Sequence, residues 1–141
     1  MTDSPTMVEH LILQRSRMKL LDEILEIDDE HIVTSTRIDN DWPGTEHGRA
    51  VFTALIELAA QSVAALVGAN DRKAGRAPSI GYLVGIKQAV FHTQSIPVRT
   101  PLLTRVSLVT FIGVYGIFRG RIEADGVLLA ELELQVSRPG T

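Results

Sequence analysis

The chain has 141 residues, the length of one domain, and a domain of about 150 residues buries roughly two-thirds of its unfolded surface. With 45% hydrophobic and 22% charged residues it is globular, with apolar material for one core and a ligand cavity. A net charge of -3 with scattered basic residues excludes a strong nucleic-acid footprint, and the absence of cysteine excludes disulfides and thiolate chemistry.

Residues 1–15 read as a polar lead-in to a single domain spanning 1–141. Met1 to Met7 lacks a basic stretch followed by an apolar one, so no signal peptide is expected and the location expected is cytoplasmic. Met18 to Ile27 is locally ambiguous. Leu20, Leu21, Ile24, Leu25 and Asp28 follow helical spacing, yet the run is short and leads through a turn at Asp28-Asp29-Glu30 into the β-branched Ile32-Val33-Thr34. Asp39 to Gly48, Gly68 to Pro78 and Gln94 to Pro101 are rich in turn residues and read as loops.

Arg49 to Val67 predicts the central helix: long, rich in Ala and Leu, free of Gly and Pro, with Gly68 as its stop. It is apolar almost all round, which marks a helix wrapped by the rest of the protein. Thr53, Glu57, Gln61 and Ser62 interrupt its apolar run, so no membrane span is expected. Strands follow at Ser79 to Thr93, Leu102 to Ile112, Tyr115 to Ala124 and Val127 to Ser137. The last alternates most cleanly, with Leu128, Ala130, Leu132, Leu134 and Val136 on one face. For the last hairpin, a two-residue Asp125-Gly126 loop would set Arg119 against core-facing Leu132. A three-residue loop of Ala124, Asp125 and Gly126 sets it against Glu131, and is the one expected. One buried helix followed by antiparallel strands is an α+β layout, a curled sheet around the helix.

Thr53, Glu57 and Gln61 fall at i, i+4 and i+8, one polar stripe on an apolar helix. Ala54, Ala59, Ala60, Ala64 and Ala65 beside them are small enough to admit a second helix or a ligand. A carboxylate in such surroundings is costly unless paired or protonated, and a carboxyl kept protonated suits a general acid. The alternative is a structural hydrogen bond to the sheet or to a dimer mate. No spacing of His, Asp or Glu suggests a metal site, and no phosphate loop, dinucleotide fingerprint or nucleophile elbow is present, so no cofactor is expected.

Ile56-Glu57-Leu58-Ala59-Ala60-Gln61 resembles the glutamate-bearing central helix of hotdog-fold 3-hydroxyacyl-acyl carrier protein dehydratases. Met18 to Glu26 resembles the stretch that opens that family, Ile80 to Gly85 its G-F-L-x-G strand, and Ile96-Pro97-Val98 its P-V connection. The similarity covers Met18 to Val136 and is nearest to the divergent dehydratase-like subunit of aryl-polyene-type clusters. It implies a hotdog fold, a mainly extended Met18 to Ile27, and a cavity between two protomers of a homodimer or a heterodimer. It also implies a histidine that removes a C2 proton, while a helix carboxylate from the partner subunit protonates the departing hydroxyl. A backbone N–H at the helix N-terminus polarises the thioester carbonyl.

In that family the histidine lies in a G-H-F-P-G stretch about fourteen residues before the glutamate, a count that here reaches Pro43; Asp41-Trp42-Pro43-Gly44 resembles the tail of that stretch, with two residues inserted and Asp41 where histidine would be. His47, ten residues before Glu57, is the nearest histidine and is either the base or an exposed loop residue. Gly48 is the expected N–H donor, since a bare backbone permits close approach. Thr53, Gln61 and Gly85 are the expected substrate-lining residues. Three activities are consistent with this pattern: dehydration of a 3-hydroxyacyl thioester on acyl carrier protein or CoA, thioester hydrolysis, and a non-catalytic role as partner of a complete dehydratase.

Overall fold

The computed structural model describes residues 20–42, 45–75 and 82–137. The lead-in over 1–15 lies outside them, as do Pro43, Gly44 and Gly81. In chain order the elements are β1 (Glu23–Ile27), β2 (His31–Arg37), β3 (Thr45–Glu46), β4 (Arg49–Val51), α1 (Ala54–Lys73), β5 (Tyr82–Phe91), β6 (Ser95–Pro97), β7 (Pro101–Ile112), β8 (Tyr115–Ala124) and β9 (Val127–Ser137). Six strands form one antiparallel sheet in the order β1-β2-β7-β8-β9-β5, and a small second sheet runs β3-β4-β6. The helix packs on one face of the large sheet, against β2, β7, β8 and β9.

Alternation along the strands decides which face is covered. On β9, Ala130, Leu132, Leu134 and Val136 are buried while Glu131 is exposed, and on β8 Phe118, Gly120 and Ile122 are buried between exposed Arg119 and Arg121. These inward residues join Leu55, Leu58, Val63 and Leu66 of α1 in one contiguous core. Helix and sheet pack closely at Gly120, where an added Cβ would lie 3.6 Å from the Ala59 Cβ. Ala59 and Ala65, expected to admit a second helix or a ligand, are fully buried within the core of their own chain.

The helix is displaced from its expected bounds of 49–67. Its first expected turn is strand β4 instead, paired with β6 through Arg49↔Pro97 and Val51↔Ser95. Arg49 reinforces this, donating from Nε to Ser95 Oγ at 2.6 Å, and Phe52 sets its ring edge-on to Phe91 at 4.8 Å. At the other end Gly68 does not stop the helix. A mid-helix glycine costs about 1 kcal/mol against alanine, and burying a Leu or Val side chain is worth about 1.5–3 kcal/mol, so buried Leu66 and Val67 outweigh it. Beyond it Asn70 Nδ2 donates to the Asp29 carbonyl at 2.9 Å and Lys73 Nζ meets Asp29 Oδ1 at 2.5 Å, fixing the last turn to the β1–β2 connection. The stop falls at Gly75, whose φ of 76° is the left-handed value a helix end favours.

Leu20 to Ile27 is extended where it is regular, as the resemblance implied against the local helical spacing: Ile24 is buried and pairs with Thr34. The β8–β9 hairpin corrects the expected register. Its loop has two residues, Asp125 and Gly126, with φ of 50° and 79°, the two left-handed positions of a type I′ turn. A register shift between Ile122 and Glu123 then leaves Leu129 as an extra residue on β9, so Arg119 faces Glu133 and Arg121 faces Glu131. Opposing Arg119 to Leu132 is avoided by this bulge rather than by a longer loop.

Candidate active site

Glu57 and Gln61 lie one turn apart on α1, and Gln61 Nε2 donates to Glu57 Oε2 at 3.4 Å. Gln61 is buried, and its Oε1 accepts the Leu20 backbone N–H at 2.8 Å. An amide whose oxygen is engaged presents its NH2 in the other direction, so the segment entering β1 sets which end of Gln61 meets Glu57. Glu57 itself is half-buried. Thr53, one turn earlier, is the exposed N-cap residue and makes no side-chain capping bond. The Phe52 and Thr53 carbonyls accept the N–H groups of Leu55 and Ile56 at 3.0 and 3.1 Å, so the helix opens with a tight turn.

His47 and Gly48 form the two-residue tip of the β3–β4 hairpin, where Glu46 pairs with Arg49. Their φ values of 53° and 74° again describe a type I′ turn, and both residues are exposed. Gly48 was expected at the entrance of the helix. It sits instead beyond β4, and its carbonyl accepts the Val98 N–H at 2.9 Å. The backbone at the helix start belongs to Phe52, Thr53 and Ala54. Among the described residues no hydrogen bond or ion pair joins His47 to Glu57. Asp41, which the resemblance put in the histidine's place, is exposed in a tight turn, its N–H donating to Asp39 Oδ1 at 2.6 Å. Gly85 lies on edge strand β5 opposite Gln135, next to the bulged Val84.

The structure thus joins Glu57 to Gln61, keeps Thr53 on the same helix end, and places His47, Gly48 and Gly85 in other elements. Two partners escaped the sequence reading. The Leu20 N–H is one. The other is a buried hydroxyl pair: Ser62 Oγ donates to the Leu58 carbonyl at 3.1 Å, which leaves Thr34 Oγ1 to donate to Ser62 Oγ at 3.0 Å. Ser62 adjoining Gln61, and Thr34 and Thr36 alternating on one strand, were the only signal for it.

One long helix packed on one face of a six-stranded antiparallel sheet is the layout of a hotdog-fold protein. The chain belongs to the ApeP-like family, described as ApeP dehydratase, which matches residues 6–141. No curated protein sequence matches it. Among solved structures it is similar to the dehydratase heterocomplex ApeI:P from Xenorhabdus doucetiae, at 20% identity and a TM-score of 0.87, covering 95% of this chain and 91% of that one. A hypothetical thioesterase with coenzyme A from Streptococcus pneumoniae TIGR4 is similar at 16% identity and a TM-score of 0.68, over 84% and 86% of the two chains. The E. coli PaaI protein from the phenylacetic acid degradation operon follows at 12% identity and 0.66, over 82% and 81%. At these identities the structures bear on the fold, which is the hotdog. No helix among the described residues is long and apolar enough to cross a membrane.

Proposed function

We propose that this chain is a dehydratase-like subunit acting on 3-hydroxyacyl thioesters held by acyl carrier protein, in the cytoplasm, in a pair with a second hotdog subunit. The observation that carries this reading is Glu57, half-buried on α1 and held on one oxygen by Gln61, in a chain of a dehydratase family. In the paired arrangement Glu57 protonates the departing C3 hydroxyl, and a histidine from across the interface removes the C2 proton. Departure of water then leaves the enoyl thioester. The exposed position of His47 on a hairpin favours the paired form over a site closed within one chain. The similar ApeI:P structure is a dehydratase heterocomplex, which supports a partner of the same fold. Thr53, Gly48 and Gly85 are assigned to the substrate's path, and Gln61 to orienting Glu57.

Hydrolysis is the second reading, favoured by the similar structure that holds coenzyme A. There Glu57 would activate water against the thioester carbonyl, with no histidine required.

The test is hydration of an enoyl thioester, the reverse reaction, followed by loss of the conjugated absorbance, with this chain alone and mixed with a partner hotdog subunit. Activity that needs Glu57, and falls about 10²–10⁴-fold in Glu57→Gln, supports the proposal. Free thiol release with no hydration supports the hydrolase. Full hydration by Glu57→Gln removes Glu57 from the mechanism.

A further inference from the structure

Arg105 on β7 and Arg121 on β8 are direct cross-strand partners, on the face of the sheet turned away from α1. In the next row Arg119 faces Ser107, and Ser107 faces His31 on its other side. All three arginines are exposed. Like charges placed directly opposite destabilise an antiparallel pair, so this row runs against the sheet's own stability. The neighbouring carboxylates answer it only in part. Glu123 Oε1 lies 3.6 Å from Arg105 Nε and Glu133 Oε1 lies 3.4 Å from Arg119 Nη2. Glu131, opposite Arg121 on β9, has its Oε2 3.7 Å from His92 Nε2. Among the described residues no carboxylate lies within 4.0 Å of the Arg121 guanidinium.

Over these side chains lies a groove of about 290 Å³, lined by Arg105, Arg119, Arg121, Ser107 and His31 and walled on one side by Glu26 and Asp28. Asp28 is already committed, since its Oδ1 accepts the N–H groups of Glu30 and His31. We propose that this groove binds a phosphate-type dianion, with Arg105 and Arg121 as its guanidinium donors and Ser107 as a flanking hydroxyl. Guanidinium groups present paired N–H donors that match phosphate oxygens, and a dianion set between two like cations turns their repulsion into attraction. The rim decides the size of the ligand. Glu26, Glu123, Glu131 and Glu133 surround the arginines, so an extended polyanion is repelled where a compact phosphate is not. The shared chemistry has two sources, free phosphate and the phosphate of a nucleotide. The groove and Glu57 belong to opposite faces of the sheet, so this proposal does not rest on the reading of Glu57.

The experiment is a titration of the full chain with inorganic phosphate at constant ionic strength, chloride balancing the salt, read by thermal melting and by backbone amide shifts. A saturable rise in Tm, with shifts at Ser107, Arg105 and Arg121, is expected. Arg121→Gln removes the opposed charge, so its Tm without phosphate should equal or exceed that of the parent, while its phosphate affinity falls about tenfold or more. Arg105→Gln should lower phosphate affinity likewise, though it also gives up the Glu123 contact, and it guards against a local defect of either variant. A parallel titration with adenosine 3′,5′-bisphosphate identifies the source: binding at least tenfold tighter than phosphate points to a nucleotide, and equal binding to free phosphate. A Tm rise that does not saturate, or that both variants retain in full, is the general salt effect of phosphate and overturns the proposal.

Discussion

Leu20 and Glu57 are connected through a single side chain: Gln61 accepts the Leu20 N–H on its oxygen at 2.8 Å and donates from its nitrogen to Glu57 at 3.4 Å. The two contacts differ in kind. The first satisfies a buried backbone donor and so belongs to stability; the second aims a carboxylate and so belongs to the site.

Gln61→Met keeps the volume and removes both contacts. The orphaned Leu20 N–H should cost about 1–3 kcal/mol, read from urea unfolding. If Gln61 orients Glu57, kcat for hydration should fall with KM little changed. Gln61→Glu restores the acceptor for Leu20 but buries a second carboxyl beside Glu57, so it should recover stability only in part and should not recover kcat. Recovery of both would make Gln61 purely structural.

His47→Ala separates a base carried by this chain from one supplied by the partner. The exposed hairpin position predicts an unchanged hydration rate in the paired assembly and an unchanged fold. A loss of about 10²–10⁴-fold with retained acyl binding would make His47 the base after all.

The Thr34–Ser62 pair should respond asymmetrically. Ser62→Ala leaves the fully buried Thr34 hydroxyl without its acceptor and should cost about 1–3 kcal/mol, whereas Thr34→Val leaves Ser62 still donating to Leu58 and should cost less. The double variant should lose less than the two singles together, a coupling that denaturation of the four proteins would measure.

Gly116 is held by two rings. A Cβ there would stand 2.7 Å from Phe118 Cε1 and 2.8 Å from Phe111 Cε1, and Phe118 is buried with nowhere to move. Gly116→Ala should therefore destabilise by about 1–3 kcal/mol despite the small size of the change. An unchanged unfolding midpoint would show that the exposed Phe111 ring swings away at no cost.

Asp28 gives the fold an acid-sensitive point. The backbone N–H of Glu30, and then the side chain and N–H of His31, hold its carboxyl below the ordinary aspartate value near 3.8. A depressed carboxylate contributes stability above its unfolded value and loses it as pH falls through the folded one. The Tm gap between the parent and Asp28→Asn should be present at pH 7 and close in strongly acidic solution. A gap that persists there would assign the effect to turn geometry rather than charge.

What the sequence disclosed follows the range of the interactions. Strands β8 and β9 have the bounds that alternation predicts, because each residue's face is set by its immediate neighbours. Glu57 and Gln61 were legible as a pair because four residues on a helix make one turn. The helix start was not legible: Arg49–Val51 becomes strand through Ser95–Pro97, which no local window contains. The same holds for Leu20, whose tie to Gln61 spans 41 positions. The place of His47 was closer to hand, since Glu46-His47-Gly48-Arg49 is a short turn between two polar residues, but helical periodicity downstream obscured it.

The bulge at Leu129 has a consequence for how this chain tolerates changes of length. With Leu129 removed, Leu128 would still face Glu123 and Ala130 would still face Ile122, so every remaining β8–β9 pair keeps its partner and its side of the sheet. A deletion elsewhere in β9 would instead turn glutamates toward the core. The residue is spare for the hairpin yet not for its neighbour, because the Leu129 carbonyl accepts the His92 N–H at 2.8 Å. Shortening β9 there should leave the hairpin intact and loosen the far end of β5 at His92, a lesion that amide exchange at His92 would reveal while the rest of the sheet stays protected.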